Sequence, residues 1–227
     1  RLEESMRQLA QKLRIPGLSR IEIFDNSHIS GAFTVAGMVV FEDGLPCKND
    51  YRLFKLHTEN SDVDSMKEVL YRRYFRLLNE GGRFPDLLLV DGGLTQIEAA
   101  KEILGSLDLD IPICGLVKND KHQTASLMNE RLEIVDVEPG SPLFFLLTRM
   151  QDEVHRFAIS YHRKLRQKAQ TKSILDEIDG VGEVRKKKLM STFKSFKRLK
   201  EATIEEIAQV VPQEVAERIF DTLHVEP

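Results

Sequence analysis

Two aspartates close apolar runs in this chain: Arg20-Ile21-Glu22-Ile23-Phe24 ends in Asp25, and Leu87-Leu88-Leu89-Val90 ends in Asp91. A carboxylate at a strand terminus is held rigidly, and two on adjacent strands would seat a hard divalent cation such as Mg2+ or Mn2+. Metal held there could polarise a phosphate and generate hydroxide for in-line attack on a phosphodiester. By strand alternation Asp25 shares a face with Ile21 and Ile23, and Asp91 with Leu87 and Leu89, so each carboxylate stands where its strand's core-facing residues run out. A single strand-end Asp before Gly or Asn is also a common turn cap, so the pair carries more meaning than either member.

Two further residues could join them. His155 sits one position off a helical stripe of Val154, Phe157, Ala158, Tyr161 and Leu165, at the border of a core, where an imidazole can shuttle a proton or simply be a satisfied side chain. Asp64 lies in Ser61-Asp62-Val63-Asp64, where it complements the dipole of the helix that follows. Gly115 to Thr124 leaves a strand and carries Lys118 and Lys121 among polar residues, a loop able to grip a phosphate backbone and equally a polar surface loop. Near the C-terminal end, Ile178-Asp179-Gly180-Val181-Gly182-Glu183-Val184-Arg185-Lys186-Lys187-Lys188-Leu189 is an apolar-Gly-apolar-Gly turn feeding a basic helix. Such a turn resembles a helix-hairpin-helix hairpin, whose exposed N–H groups and helix dipole bind a phosphate without reading bases. Gly180, Gly182, Arg185, Lys186 and Lys187 are the candidate DNA contacts. A second copy is expected at 210–217, but it lacks the glycines and the basic run, so a structural role is expected there.

The elements that must position these residues follow from periodicity. Residues 1–14 carry Leu2, Met6, Leu9 and Leu13 on one helical face, ended by Pro16-Gly17. Strands are expected at 20–29, 34–42 and 50–57, with turns at Ser30-Gly31 and 42–46, an antiparallel meander. Helix 61–79 presents Met66, Val69, Leu70, Tyr74 and Leu77, and the unbroken apolar run at 87–90 suits a buried parallel strand. Helix 95–106, strand 111–117, an extended segment at 131–137 and a long helix from 142 to about 170 complete a mixed α/β sheet covered by helices. The periodicity fails at 168–173, read as a linker, and an all-helical module is expected at 174–225.

Composition sets the class. Of 227 residues 41% are apolar and 30% charged, ordinary for a globular protein. No apolar run reaches membrane-spanning length and the first residues lack a signal peptide's apolar stretch, so a cytoplasmic protein is expected. Cys47 and Cys114 fit no disulfide or zinc pattern. The net charge of −3 conceals an asymmetry: residues 161–200 hold 13 Lys and Arg against 4 acids, so this segment is +9 and the remainder −12. A basic segment on an acidic body fits a nucleic-acid surface or, more blandly, a solvated helix face.

Taken in order, Phe24-Asp25-Asn26-Ser27-His28, Val90-Asp91-Gly92-Gly93-Leu94-Thr95-Gln96, Gly115 to His122, His155-Arg156-Phe157-Ala158-Ile159 and Gly180-Val181-Gly182 resemble the C-terminal half of the UvrC family, nuclease subunits of bacterial nucleotide excision repair. The resemblance covers nearly the whole chain. It implies an RNase H-like endonuclease domain at 1–168 and a tandem helix-hairpin-helix DNA-binding domain at 174–227. It implies Asp25 and Asp91 as ligands of Mg2+ or Mn2+, His155 as the third catalytic member and Asp64 as a further acidic position tied to catalysis. The implied activity is the incision 5′ to a lesion in double-stranded DNA, with UvrB as partner and UvrA upstream. The chain is then expected to be a monomeric fragment lacking the GIY-YIG nuclease of the 3′ cut and the UvrB-interacting segment. The alternative is a non-catalytic DNA-binding scaffold of the same fold.

Overall fold

The computed structural model describes residues 1–28, 34–57, 61–118, 124–165 and 174–226, with backbone alone at 124–125 and 162–165. The expected turn at Ser30-Gly31, the linker at 168–173 and Lys121 lie outside the described residues.

Helix α1 (Leu2–Leu13) buries Met6 and Leu9 and stops at Arg14, which turns left-handed at φ 57°. Strands β1 (Arg20–His28), β2 (Thr34–Glu42), the short β3 (Leu45–Pro46) and β4 (Arg52–Lys55) form the expected antiparallel meander. Helix α2 (Asp62–Glu80) is capped by Ser61, whose hydroxyl accepts from the Asp64 N–H. Then come β5 (Leu87–Asp91), α3 (Leu94–Ser106), β6 (Ile113–Lys118), β7 (Thr124–Met128), β8 (Ile134–Asp136) and the 24-residue α4 (Pro142–Leu165). The last segment holds α5 (Glu183–Phe193), α6 (Phe196–Glu201), α7 (Ile204–Ile207), α8 (Gln213–Leu223) and β9 (Val225–Glu226).

One sheet runs β8-β7-β6-β5-β1-β2-β4-β9, with β3 paired to β2. β5 pairs parallel with both β1 and β6 at the middle of this order, and helices cover both faces there. That is why Leu87 to Val90 is apolar without alternation. Leu87 and Leu89 face α1 and α4 in a core with Ile21, Ile23 and Val154. Leu88 and Val90 face the other way, into a core with Phe24, Met38, Tyr74 and Ile97 under α2 and α3. A third core, including Leu189, Ile207 and Phe220, belongs to the helical module alone.

One expectation needs correction. Residues 124–128 form a strand where the expected loop ends at Thr124 and no element was expected beyond it, because Thr124-Ala125-Ser126-Leu127-Met128 is too short and polar to show a period, yet pairs antiparallel with β6. The C-terminal module is helical as expected, and just after it Val225–Glu226 pairs parallel with β4 and joins the main sheet at its edge. Two residues are too few for any periodic signal. No helix among the described residues is long and apolar enough to cross a membrane.

Candidate active site

Phe24 and Val90 are partners in the parallel β1–β5 register, so Asp25 and Asp91 emerge side by side where the two strands end. Alternation turns both carboxylates to the face covered by α4. That helix supplies each with a partner: His155 Nδ1 lies 3.2 Å from Asp25 Oδ2, and Gln151 Nε2 donates to Asp91 Oδ1 at 2.7 Å. Gln151 and His155 are four residues apart, one helical turn, and so present a single face to the strand ends.

Two glycines make this approach possible. Gly37, the register partner of Asp25 on β2, would place a Cβ 3.1 Å from the backbone of Ala158, so the absence of a side chain lets α4 settle onto the sheet three residues after His155. Gly115 on β6 would place one 2.1 Å from the Gly92 carbonyl oxygen, which real side chains do not tolerate. The loop that follows Asp91 lies against β6 at that point, and Gly92 N–H donates to the Leu116 carbonyl at 3.1 Å.

The electrostatics separate Asp25 from a structural carboxylate on the same strand. Glu22 is fully buried, but Arg73 and Arg20 pair with it at 3.0 and 3.4 Å and the Tyr74 hydroxyl donates at 3.0 Å. Asp25 is 8% exposed and, among the described residues, has no Lys or Arg partner; His155 and the Asn26 backbone are the groups that hydrogen-bond to it. Burial, followed by the charge of Asp91, pushes the Asp25 carboxyl up to about 6, and His155 pulls it partly back. Such a pair stabilises a cation that can replace its lost hydration. Among the described residues no three His, Cys, Asp or Glu side chains gather into a ready-made cage. Two carboxylates still match the donor set of Mg2+, which keeps several waters and takes further oxygens from a substrate phosphate. The residues fit a hydrated divalent ion.

His155 touches Asp25 while its side chain remains 61% exposed, so it is more open to solvent than its place beside the apolar stripe suggests. Asp64 makes no hydrogen bond to the pair among the described residues: it is exposed at the start of α2, where the Ser61 hydroxyl donates to Asp64 Oδ2 at 3.0 Å. The same helix start is tied to β1 by Asn26 Nδ2, which donates to the Asp62 carbonyl at 3.3 Å, and by a His28–Asp62 contact. Lys118 is exposed at the end of β6, two residues beyond the register partner of Asp91 and past a bulge. Gln151 was not singled out from the sequence. A signal was available, because Leu147, Gln151, Val154 and Ala158 form one buried stripe and only a partnered amide belongs there.

In the helical module, Gly180 turns at φ +90° and Gly182 caps α5 with open space around its Cα. Arg185 and Lys186 are partly committed within the module: Arg185 Nη1 donates to the Gly180 carbonyl at 2.6 Å, and Lys186 Nζ to Asp176 at 2.9 Å. Lys187 is exposed. From α8, Val215 packs on Gly180 and Arg218 Nη1 donates to the Asp179 carbonyl at 3.2 Å, so the glycine-free second half braces the first hairpin. The module docks on the sheet edge through β9, a Lys48–Glu217 pair at 2.6 Å and the Ile204 N–H donating to Asn49 at 2.9 Å. Between them lies a cavity of about 840 Å3 bordered by His155 on one side and Asp179 on the other.

Residues 10–159 match the family model described as the UvrC RNAse H endonuclease domain, and residues 172–224 match that of a SAM-like helix-hairpin-helix tandem. The UvrABC system protein C of Streptococcus gordonii is 49% identical over 226 residues, 97% of this chain. The chain spans 37% of that relative's length. Among solved structures, human ENDOV is similar over 75% of this chain and 100% of its own, at 14% identity and a TM-score of 0.37. Endonuclease V of Ciona intestinalis, solved with an inosine-containing DNA, is similar over 52% of this chain and 59% of its own, at 11% identity and 0.34. Likenesses this remote say nothing of chemistry.

Proposed function

This chain belongs to the family of UvrC RNase H endonuclease domains, with a helix-hairpin-helix region after it, and we propose that its strand-end site hydrolyses a DNA phosphodiester with Mg2+ or Mn2+. The observation that carries the reading is the Asp25–Asp91 pair, one member buried without a cationic side chain and both held by partners on α4. A divalent ion bound there supplies Lewis-acid polarisation of the phosphate and an activated water. Asp25 and Asp91 hold the ion through hard carboxylate oxygens. Gln151 fixes the Asp91 carboxylate by donating to one of its oxygens. His155, anchored through Nδ1 on Asp25, keeps Nε2 to take up or return a proton at the solvent-facing side of the site.

The glycine hairpin holds the duplex backbone through N–H groups at the start of α5, with Lys187 and Lys118 adding charge. Lys121, Arg185 and Lys186 remain candidates for the same role. Asp64 acts at most indirectly, by ordering the start of α2 beside the end of β1. The substrate is damaged double-stranded DNA, the cut is the one 5′ to the lesion, and the reaction follows loading of UvrB in the bacterial cytoplasm. Calorimetric titration of the chain with Mn2+ tests the metal step: binding that disappears in Asp25→Asn and Asp91→Asn supports it. Binding that is indifferent to both leaves the chain a DNA-binding scaffold.

A further inference from the structure

Two grooves flank the exposed edge of α4, and Asp152 borders both. The first is the cavity under the helical module. Among the described residues it is lined by six carboxylates against three cations, and each cation is already engaged: Lys48 with Glu217 at 2.6 Å, Arg156 with Glu153 at 2.6 Å, Arg218 with Glu214 at 3.8 Å. A phosphodiester backbone entering there would meet net negative charge in a confined space. The second groove, about 610 Å3, runs along the start of α4 beside the start of α1. Its walls include Phe145, 54% exposed, the exposed Arg149, and Thr148, with Asp152 as the one carboxylate among its described lining residues. Arg149 has no ion-pair or hydrogen-bond partner among the described residues.

Phe145, Arg149 and Asp152 follow at spacings of four and three, so they form one stripe on the exposed side of α4 leading to His155. The ten residue steps from Phe145 to His155 cover roughly 15 Å of helix. That is the span of about four to five nucleotides of one strand at duplex rise. An exposed aromatic ring beside an uncommitted guanidinium is the pairing that holds an unstacked base and its phosphate.

We propose that the Phe145–Arg149 groove is a subsite for the DNA strand being cut, in which Phe145 stacks on a base within about five nucleotides of the scissile phosphate and Arg149 contacts a neighbouring phosphate. The groove meets the cavity that His155 lines at their shared wall, Asp152, three residues before His155, and of the two flanks it is the one whose charge suits a polyanion. The inference rests on the nuclease reading for the identity of its occupant. It deepens that reading by placing the substrate strand on the α1 side of α4 rather than under the helical module.

The test uses the full-length protein with its repair partners on a lesion-bearing duplex. 5-Iododeoxyuridine is placed singly at each of the five positions on either side of the 5′ cut. Photo-crosslinking is done with the Asp25→Asn variant, so that binding is read without turnover. A crosslink mapped by mass spectrometry to Phe145 is expected. Phe145→Ala should raise the KM for 5′ incision by about five- to 150-fold with kcat less affected, the range of one base–aromatic stack, and Phe145→Tyr should restore it. Arg149→Gln should raise KM and flatten its salt dependence by about one counterion. Both side chains are exposed, so the variants should fold. Crosslinks confined to the other groove, or unchanged KM in both variants, overturn the subsite. Loss of all metal-dependent cutting in the wild type would instead remove the nuclease reading, and the crosslink would still decide what occupies the groove.

Discussion

In the proposed reading the strand-end site and the glycine hairpin both serve a phosphate, by opposite means. At the strand ends the working groups are side chains brought together from residues 25, 91 and 151–155, and one of them, Asp25, is buried at a cost that its own environment does not offset. In the hairpin the working groups are backbone N–H groups within one continuous turn, held by Gly180 and by the brace from α8. The first arrangement stores a destabilising charge that a proton or a bound cation relieves. The second is close to relaxed and costs the fold little. Mutations should therefore separate activity from stability in opposite directions in the two places.

The largest effect is expected at Asp25. Asp25→Asn should reduce 5′ incision by at least about a hundredfold, since the polarisation supplied by a bound ion is worth several kcal/mol. In the metal-free protein the same change should stabilise the fold. The Asp25 carboxyl is raised from 3.8 to about 6, so the native state binds more protons than the unfolded state between those values. Stability contributed by the protonated form is fully present below the unfolded value and is lost as pH rises through the folded one. Denaturant unfolding without metal should show little difference between wild type and variant at pH ~3.5, and an advantage to the variant on the order of 3 kcal/mol at pH ~7. Mn2+ should narrow that gap by stabilising only the wild type. A variant less stable than wild type at neutral pH would break the contrast.

Glycines sharpen it next. Gly115→Ala would push against the Gly92 carbonyl, so it should destabilise the sheet by a few kcal/mol and displace the loop that follows Asp91, lowering both melting temperature and rate. Gly180→Val faces a φ of +90° and a contact of 2.8 Å with Val215, so it should unfold the hairpin as well as weaken duplex binding. Gly182→Val meets nothing within 4 Å and should leave melting nearly unchanged while weakening duplex binding, because only the approach of a phosphate is blocked. Smaller again, Gln151→Leu keeps the helix but frees the Asp91 carboxylate, and a rate loss on the order of tenfold is expected with metal affinity reduced. The smallest effect is at Lys187: Lys187→Ala should lower the salt slope of duplex binding by roughly one without changing base preference.

The contrast also governs what could be read from the residues alone. The hairpin is contiguous, so its turn and basic helix are visible in twelve residues. Asp25 and Asp91 were visible because an apolar run ending in a carboxylate is unusual enough to notice, and His155 because it adjoins a clear helical stripe. Gln151 is legible too, from its place on the buried stripe of α4, where only a partnered amide belongs. The Gly37–Ala158 approach and the Gly92–Gly115 contact are not, since each pairs positions whose neighbourhood exists only after the sheet has formed. β7 and β9 escaped for a related reason: both are short, and their pairing with β6 and β4 supplies what local propensity does not. Arg185 shows the converse limit, for a cation in a basic run reads as a phosphate contact, whereas here it also holds its own turn through the Gly180 carbonyl.

The central claim is that the strand-end carboxylates carry out the cut on the 5′ side. Its most direct test is Mn2+-dependent incision of a lesion-bearing duplex by the full-length protein with UvrA and UvrB, comparing wild type with Asp25→Asn and resolving the two cuts on one gel. Loss of the 5′ cut alone, with the 3′ cut intact, is the predicted result. A 5′ cut that survives Asp25→Asn at the wild-type rate would contradict it and place the chemistry elsewhere.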